Sequence, residues 1–351
     1  MSQIKTAVVG ASGYTGMELL RLLIMHPEVE LCCVTSRQYS GQTLDSIFPR
    51  FRGSKYASLE FSMPEPKLIA DSGAKYAFLA LPHGVAAEYA KGLLELGVKV
   101  IDLSADFRLS DPAVYEEFYG QPHPDLELLK EAVYGLPEVH RAAIKDSRLI
   151  ASPGCYPTSI ELPLLPLVKE GLISTEDIVI NSMSGVSGAG KTANVNFTFC
   201  ECNESVRAYS VPRHRHLSEI EQELSNAAQK KVVVSFTPHL IPVNSGIHTT
   251  TSATFLGDPN DEKAIEAIGL ALEKAYSSEP FVRLLGKNQC PDTKYVTKTN
   301  FVDIGWSYDP RTNRVILLSA EDNLCKGAGG QAIQSFNIMN GIDETSGLMN
   351  F

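Results

Sequence analysis

A cysteine at a sharp turn is the residue of this chain best placed for covalent chemistry. The motif SPGCYPT, residues 152–158, follows a short predicted strand at 148–151 and leads into a predicted helix. Proline and glycine turn the chain, and a thiol beside the positive end of a helix dipole is favoured as the thiolate. We therefore interpret Cys155 as a candidate nucleophile, with a small buried cysteine as the structural alternative. Pro163 and Pro166 should kink or end the helix that follows.

Two histidines lie between arginines further along the chain, in the motif PRHRH at 212–216. An imidazole can act as a general acid or base, and the arginines add positive charge to an otherwise acidic chain. Side chains two residues apart at the start of a helix point in different directions, so one of His214 and His216 is expected to face Cys155. We favour His214, because His216 adjoins the predicted helix and is suited to capping or packing. A purely structural cluster is the alternative.

A glycine-rich turn near the N-terminus is suited to binding a dinucleotide. The motif GASGYTG, residues 10–16, stands between a predicted strand and a predicted helix. Glycines let the backbone approach a pyrophosphate, and the helix N-terminus offers amides to it. The spacing GxxGxxG is a variant of the usual GxGxxG, and an ordinary strand–helix turn is the alternative. The candidate cofactor-binding residues are Gly10, Ser12, Gly13, Tyr14, Thr15 and Gly16.

The end of the second predicted strand indicates which dinucleotide is bound. NAD-binding folds usually carry an acidic residue there for the ribose 2′-hydroxyl. No acidic residue lies between Cys32 and Ser40 in this chain, and Ser36 is followed by Arg37. A hydroxyl and a guanidinium suit a 2′-phosphate, so NADP(H) is the predicted cofactor. A surface arginine is the alternative.

Two further patterns imitate known sites. The segment GVSGAGKT at 185–192 matches the P-loop pattern GxxxxGK[ST] and follows a predicted strand. The residues after it alternate as in an extended segment and do not begin a helix, which argues against a nucleotide triphosphatase. Cys200, Cys202, His214 and His216 carry the ligand types of a zinc site, but one intervening residue in each pair is fewer than structural zinc sites use. No metal site is predicted.

The elements that must position these residues change character along the chain. Up to about residue 150, predicted strands at 4–9, 29–35, 74–81 and 98–103 alternate with predicted helices at 15–25 and 85–96. This alternation predicts βαβ crossovers and a parallel sheet, and hence an α/β, Rossmann-type NADP-binding domain.

The second part of the chain mixes strands and helices without that alternation. Strands are predicted at 178–182, 232–237, 249–255 and 315–319, and helices at 217–230, 264–276 and 331–340. This mixture predicts an α+β catalytic domain with a mainly antiparallel sheet. This change of pattern places a domain boundary near residue 150.

Composition excludes several classes of protein. The chain has 351 residues, of which 31 are basic and 41 acidic, for a net charge of −10, which disfavours nucleic acid and anionic membranes as partners. No apolar run reaches the roughly 18 residues that span a bilayer, and the N-terminus lacks the pattern of a signal peptide. Seven scattered cysteines suggest free thiols in a reducing compartment. We expect a soluble, cytoplasmic protein.

Six motifs, in order along nearly the whole chain, resemble the N-acetyl-gamma-glutamyl-phosphate reductase family of arginine biosynthesis. They are GASGYTG at 10–16, DLSADFR at 102–108, PGCYPT at 153–158, SGVSGAGK at 184–191, HRH at 214–216 and DNLCKGA at 322–328. The family is related more distantly to aspartate-semialdehyde dehydrogenase and glyceraldehyde-3-phosphate dehydrogenase. Gly329 stands where the family pattern leads us to expect alanine.

The resemblance implies an oxidoreductase that uses NADPH to reduce a small acyl phosphate to an aldehyde with loss of phosphate. Cys155 would form a thioester, and a histidine would transfer the proton. The resemblance assigns the 184–191 segment to a loop near the substrate, so the candidate substrate-binding residues are Arg108, Ser187, Gly188 and Lys191. Asn323 lies in the segment where the family approaches the nicotinamide end of the cofactor. A homo-oligomer, dimer or tetramer, is also implied. The resemblance further implies an NADP-binding Rossmann domain at residues 1–150, joined by the C-terminal helix at about 325–351, and a catalytic and substrate/oligomerisation domain at residues 151–324.

Three alternatives remain open at this point. The nearest is the lysine-pathway reductase that acts on a carrier-bound aminoadipyl phosphate. A non-catalytic NADP-binding sensor would keep the glycine-rich turn without needing a reactive thiol. A P-loop kinase or ATPase would require ATP turnover with magnesium.

Overall fold

The computed structural model describes residues 3–349, which divide into two compact units. One unit runs to Pro153 and includes the segment that begins at Ala328, and the other runs from Gly154 to Gly327. The strands of the first unit are β1 (Ile4–Val9), β2 (Val29–Thr35), β3 (Phe61–Ser62), β4 (Tyr76–Leu79), β5 (Lys99–Asp102), β6 (Val133–Tyr134) and β7 (Leu149–Ala151). Its helices before residue 153 are α1 (Tyr14–Met25), α2 (Leu44–Ile47), α3 (Pro66–Asp71), α4 (Ala86–Glu95), α5 (Pro112–Tyr119), α6 (Leu126–Glu131) and α7 (Pro137–Asp146).

The sheet of the first unit is parallel and has the order β3-β2-β1-β4-β5-β7-β6. Its central strands are apolar runs, because a parallel sheet is covered on both faces. Ala7, Val9 and Leu79 are fully buried and share a core with Ala90 and Leu93 of α4. The predicted Rossmann-type, α/β class is therefore confirmed.

The second unit contains a mixed sheet. Its strands are β8 (Val179–Ser184), β9 (Arg207–Ala208), β10 (Ser235–Leu240), β11 (Ile247–Thr254), β12 (Val282–Lys287), β13 (Val302–Asp309) and β14 (Arg314–Glu321). Its helices are α8 (Cys155–Lys169), α9 (Phe199–Cys202), α10 (Leu217–Ala228) and α11 (Glu262–Tyr276), and a last helix, α12 (Gly330–Met339), belongs to the first unit.

The order of this second sheet is β12-β13-β14-β11-β8-β10-β9. The β8–β10 and β12–β13 pairs are parallel and the other pairs are antiparallel, so the predicted, mainly antiparallel sheet is confirmed. Side chains of β11 alternate between buried and half-buried, which is typical of a sheet with one covered face. The helix α8 lies against β11 and β14, and α10 and α11 pack on α8.

Pro163 and Pro166 are expected to kink or end the helix after Cys155, and neither proline ends α8. The helix continues to Lys169 with both prolines inside it. A proline has no N–H, so the carbonyl four residues before it loses its usual donor. Ser159 and Leu162 carry the two carbonyls that lose a donor in this way.

Hydroxyl groups from neighbouring elements supply the missing donors. Ser319 of β14 donates its hydroxyl to the Ser159 carbonyl at 2.6 Å, and Tyr276 of α11 donates to the Leu162 carbonyl at 2.6 Å. Tertiary contacts therefore satisfy the backbone that the prolines leave open, and they attach α8 to the sheet and to α11.

Candidate active site

The predicted nucleophile stands at the first residue of α8. Cys155 is a half-buried cysteine that forms no disulfide, and Gly154 before it has extended backbone angles, φ −69° and ψ 157°. The amides in the first turn of a helix have no partner within the helix, and they favour negative charge beside them. The position thus matches the one predicted for a reactive thiol.

One of the two predicted histidines lies directly against the turn that carries the thiol. A Cβ added to Gly154 would fall 2.5 Å from Nε2 and 2.7 Å from Cε1 of the His216 ring. Only glycine therefore leaves room for the ring in this position. His216 is half-buried and immediately precedes α10.

A buried carboxylate fixes the same turn from the other side. Glu219, on the first turn of α10, is fully buried and accepts the Gly154 N–H at 2.9 Å. Because Glu219 and His216 belong to the same helix start, α10 positions both against the residue before the thiol. Sequence patterns gave no indication of Glu219, since it reads as an ordinary acidic residue in a first helical turn.

The other predicted histidine lies among aromatic rings. The His214 ring is 5.4 Å from that of Tyr156, 5.5 Å from Tyr209 and 5.7 Å from Phe236, measured between centroids. Its Nδ1 accepts the backbone N–H of His216 at 3.1 Å. Burial, and then the neighbouring positive charge of Arg215, lower the pKa of His214 to about 4. His214 is therefore a neutral imidazole near pH 7.

A cavity of about 560 Å³ opens beside these rings and carries three arginines. Arg207 comes from β9, and Arg213 and Arg215 come from the segment before α10. Ser184, Gly188, Tyr209 and His214 also line it. Three guanidinium groups around one cavity suit a ligand with more than one anionic group. Sequence reasoning named Arg213 and Arg215 but missed Arg207, because β9 has only two residues and gives no periodic signal.

The loop with the P-loop-like pattern has a different conformation from a phosphate cradle. Its first amides, those of Gly185, Val186 and Ser187, donate to carbonyls of residues 246, 243 and 244 at 2.9 Å each. A short 3₁₀ turn over Val186–Ala189 follows β8 in place of a long helix. These amides are already used within the protein, so they are not available to a triphosphate.

Asn323 holds this loop in place. Its Oδ1 accepts the Gly246 N–H at 2.8 Å, and its Nδ2 donates to the Ser187 hydroxyl at 3.0 Å. The two ends of the buried carboxamide thus join two loops of the second unit. Of the other predicted substrate residues, Gly188 lines the cavity and Lys191 lies on the exposed segment that follows the 3₁₀ turn.

A second close approach to the thiol comes from the turn at Cys325–Gly329. A Cβ on Gly327 would lie 2.8 Å from Cys155 Cβ and 2.9 Å from Oε1 of the buried Glu321. Glycine at 327 is therefore required by this contact. Neither Gly327 nor Glu321 carries a sequence signal for proximity to Cys155.

The glycine-rich turn of the first unit has the geometry that a pyrophosphate cradle needs. Gly10 has φ +78°, and a Cβ there would lie 2.4 Å from the Ala80 carbonyl oxygen. A Cβ on Gly16 would lie 2.6 Å from Ala11 Cα, so this glycine allows helix and strand to pack closely. A Cβ on Gly13 would meet only one atom within 4 Å, at 3.9 Å, so the space above it is open. These are the three roles that glycines have in dinucleotide-binding turns.

A cavity of about 250 Å³ adjoins this turn and contains the residues predicted to bind the 2′-phosphate. Ser36 donates its hydroxyl to that of Ser12 at 3.1 Å, and the exposed Arg37 donates Nη2–H to the Tyr89 hydroxyl at 2.9 Å. The structure thus brings Gly10, Ser12, Ser36 and Arg37 together, while Gly13 to Gly16 form the cap and first turn of α1. The remaining lining residues, which sequence reasoning missed, are Thr35, Pro64, Leu81, Pro82, Val85 and Tyr89.

Arg108, predicted to bind substrate, is buried in the first unit and donates Nη2–H to the Leu103 carbonyl at 2.8 Å. In residues 3–349 no group of three or more histidine, cysteine or acidic side chains has the arrangement of a metal site. Within the same range, no helix is both long and apolar enough to cross a membrane.

Comparison with known proteins places the chain in a family. Residues 5–147 match the family model described as "Semialdehyde dehydrogenase, NAD binding domain", and residues 155–323 match "Semialdehyde dehydrogenase, dimerisation domain". An N-acetyl-gamma-glutamyl-phosphate reductase of Akkermansia muciniphila is 63% identical over 350 residues, which is 99% of both chains. The chain belongs to the N-acetyl-gamma-glutamyl-phosphate reductase family. A Geobacter metallireducens member is 50% identical over 346 residues, 98% of each chain.

Solved structures of aspartate semialdehyde dehydrogenases share the fold of this reductase-family chain. The enzyme II of Vibrio cholerae superimposes with a TM-score of 0.71 at 19% identity, over 97% of this chain and 99% of that one. A Candida albicans enzyme, solved with NADP, gives a TM-score of 0.68 at 17% identity, over 97% and 99% of the two chains. The resemblance of the six sequence motifs to the family is thus confirmed by identity along the whole chain.

Proposed function

We propose that this protein reduces N-acetyl-γ-glutamyl phosphate to N-acetylglutamate semialdehyde, with NADPH as reductant and release of phosphate, in arginine biosynthesis. The observation that carries the proposal is the second unit's site. A thiol stands at a helix N-terminus, the His216 ring lies against the residue before it, and a cavity with three arginines opens next to the other histidine. The relatives that match over the whole chain carry the name of this reaction.

The thiol of Cys155 begins the reaction. Its thiolate attacks the acyl carbon, a carbon–sulfur bond forms, and the carbon–oxygen bond to phosphate breaks. Inorganic phosphate leaves, and Cys155 holds the acyl group as a thioester. A thioester accepts hydride more readily than a carboxylate does, which is the purpose of the covalent step.

The first unit holds the cofactor. The glycine turn has the conformation and open space that a pyrophosphate needs, and Ser36 and Arg37 line the adjoining cavity. When bound, NADPH supplies the hydride that reduces the thioester. Arg37 distinguishes NADPH from NADH by its charge, since the 2′-phosphate is the group that NADH lacks.

His216 is the proposed acid and base. It gives a proton to the oxygen of the hemithioacetal and takes it back when the carbon–sulfur bond breaks, which frees the aldehyde and the thiolate. The sequence favours His214, but three observations support His216. His216 adjoins the turn of the thiol, whereas His214 accepts a backbone N–H at Nδ1, and its pKa of about 4 is far from neutral pH. A general acid–base works best with a pKa near the operating pH.

Arg207, Arg213 and Arg215 are proposed to hold the anionic groups of the substrate, which carries a phosphate and an α-carboxylate. The net charge of −10 repels such a ligand at long range, so a local cluster of cations has to bind it. Arg108, Ser187, Gly188 and Lys191 remain proposed substrate contacts, and Asn323 a proposed contact of the nicotinamide end.

We propose a homo-oligomer, dimer or tetramer, because the family model matched by the second unit is described as a dimerisation domain. Light scattering with size-exclusion chromatography measures the number of subunits. We also propose a cytoplasmic location, in keeping with the free cysteines.

The test is phosphate-dependent reduction of NADP⁺ by N-acetylglutamate semialdehyde, which runs the reaction in reverse. Cys155→Ala should abolish this activity and leave NADPH binding unchanged, since only the thioester route is lost. Cys290→Ala is the matched control, because Cys290 is an exposed free thiol of the same unit. Substantial activity in Cys155→Ala, or turnover that strongly prefers a carrier-bound aminoadipyl phosphate, would overturn the proposal.

A further inference from the structure

Arg37 and Tyr89 form a pair in the wall of the cavity beside the glycine-rich turn. Tyr89 lies outside every motif identified in the sequence. Arg37 donates Nη2–H to the hydroxyl of Tyr89 at 2.9 Å, and both side chains line the cavity that contains Gly10 and Ser36. Arg37 is exposed, so apart from such contacts its long side chain would have many rotamers to lose on binding a ligand. The tyrosine hydroxyl restricts those rotamers before any ligand arrives.

Tyr89 itself is held by a helix whose start is fixed from outside. Val85, the residue before α4, has no side-chain capping hydrogen bond. The buried carboxylate of Asp106 takes that role, because it accepts the Gly84 N–H at 2.6 Å and the Ala87 N–H at 3.0 Å. A carboxylate at a helix N-terminus satisfies amides that otherwise have no partner and interacts favourably with the helix dipole.

The neighbours of Tyr89 on α4 add to this rigidity. Ala86 and Ala90 are completely buried in the core of the first unit. The backbone that carries Tyr89 is thus fixed at the helix start and on the buried face, and the ring is the part that turns toward the cavity.

We propose that Tyr89 is a specificity-determining residue, which positions the Arg37 guanidinium for the 2′-phosphate of NADP(H). The inference rests on the proposed use of NADPH. A guanidinium has five N–H donors, so one can remain on the tyrosine hydroxyl while others bind phosphate oxygens. A cation that is already oriented loses less conformational entropy on binding, and this raises affinity for the phosphate. NADH has no 2′-phosphate and gains nothing from the arrangement.

The experiment measures dissociation constants of NADPH and NADH by titrating the fluorescence of the reduced cofactor, without turnover. In Tyr89→Phe the constant for NADPH should rise about 3- to 10-fold, the range that one hydrogen bond provides, while that for NADH stays within about twofold. Arg37→Ala should raise the dissociation constant of NADPH more than Tyr89→Phe does. Adding Tyr89→Phe to Arg37→Ala should then change nothing further, because the two residues act through one contact.

Tyr308→Phe is the matched control. Tyr308 lies in the second unit and donates its hydroxyl to Asn313 Oδ1 at 2.9 Å, so the control removes one tyrosine hydrogen bond of the same length away from the cofactor cavity. Thermal melts of all variants confirm folding.

Four results would overturn the inference. If Tyr89→Phe weakens the binding of NADPH and NADH equally, the hydroxyl stabilises the cavity for both cofactors and does not determine specificity. A loss of the same size in the Arg37→Ala background would show that Tyr89 acts without Arg37. The dissociation constant of NADPH could be unchanged in Tyr89→Phe while Arg37→Ala still weakens the binding of NADPH more than that of NADH. This result would refute the role of Tyr89 but not the proposed function. If Arg37→Ala itself leaves the NADPH-to-NADH ratio unaltered, the cofactor assignment in the proposed function fails as well.

Discussion

One added methyl group at position 154 tests which histidine serves the thiol. In Gly154→Ala the new Cβ would lie 2.5 Å from His216 Nε2 and 2.7 Å from Cε1. A nonbonded contact of this kind needs about 3.5 Å, so the ring has to move by about 1 Å. The backbone angles of Gly154, φ −69° and ψ 157°, are ones that alanine adopts freely. The substitution is therefore a steric probe of His216 without backbone strain.

The expected loss follows from that displacement. A catalytic group misplaced by about 1 Å costs on the order of 100-fold in rate, which corresponds to about 2.7 kcal/mol. Overpacking lowers the free energy of unfolding by about 1–3 kcal/mol in addition. We expect kcat/KM for the phosphate-dependent oxidation of the semialdehyde to fall about 100-fold, with the NADPH dissociation constant unchanged.

A double-mutant cycle tests whether Gly154→Ala lowers turnover by displacing the His216 ring. His216→Ala alone should lower turnover about 100- to 10,000-fold. In the His216→Ala background, Gly154→Ala should lower turnover no more than about threefold further, because the ring that the methyl group displaces is absent. In a His214→Ala background the full loss should remain. If the methyl group still costs about 100-fold without the His216 ring, it acts on the thiol or the turn, and the assignment of His216 is wrong.

His214→Phe should leave turnover within about threefold of the unmutated protein. It should also reduce the fall in the free energy of unfolding as the pH is lowered. The pKa of His214 is lowered to about 4 in the folded protein, and an unfolded histidine titrates near about 6.5. The unfolded state therefore takes up the proton first as the pH falls from 6.5 to 4, and about 3 kcal/mol of stability is lost in that window. Urea unfolding at several pH values measures it, and an unchanged acid slope would contradict a neutral His214. Asp106→Ala should lower the free energy of unfolding by about 2–4 kcal/mol, because Gly84 and Ala87 lose a charged acceptor, and a loss below about 0.5 kcal/mol would contradict the capping role.

Much of the first unit is predictable because its signals are local. The apolar run at 4–9 and the β-rich run at 29–35 match β1 and β2 residue for residue, and Pro27 lies just beyond the end of α1. Strand, glycine turn and helix follow one another without distant contributions. The candidate cofactor-binding residues on this turn could therefore be named from spacing alone.

The second unit is less predictable where tertiary contacts decide. The predicted strand at 232–237 begins only at Ser235, because the amides of Val232 and Val234 donate to side chains of α10 rather than to a neighbouring strand. The strands β12 and β13 were not predicted. The first five residues of β13 are all buried, so they show no alternation, and β12 contains Gly286 at a register shift.

The same distinction applies to the candidate site. Cys155, His214 and His216 stand out by residue type, but the sequence carries nothing to show that His216 lies against Gly154 while His214 lies among aromatic rings. That difference depends on how α10 packs on α8, and Glu219, which accepts the Gly154 N–H, is part of that packing. Spacing in the sequence favours His214 as the candidate acid–base residue, whereas the packing of α10 on α8 favours His216.

The prolines of α8 show how distant contacts support the proposed nucleophile, Cys155. Taken alone, Pro163 argues for a helix that stops a few residues after Cys155, and a short helix is held by few contacts. Ser319 and Tyr276 donate to the carbonyls that the prolines leave open, so α8 continues and is attached to β14 and α11. The thiol therefore stands at the end of a helix that is fixed along its length. The proposed reaction requires a fixed position of the Cys155 sulfur, and it therefore depends on these distant hydroxyl groups, which no motif around Cys155 reveals.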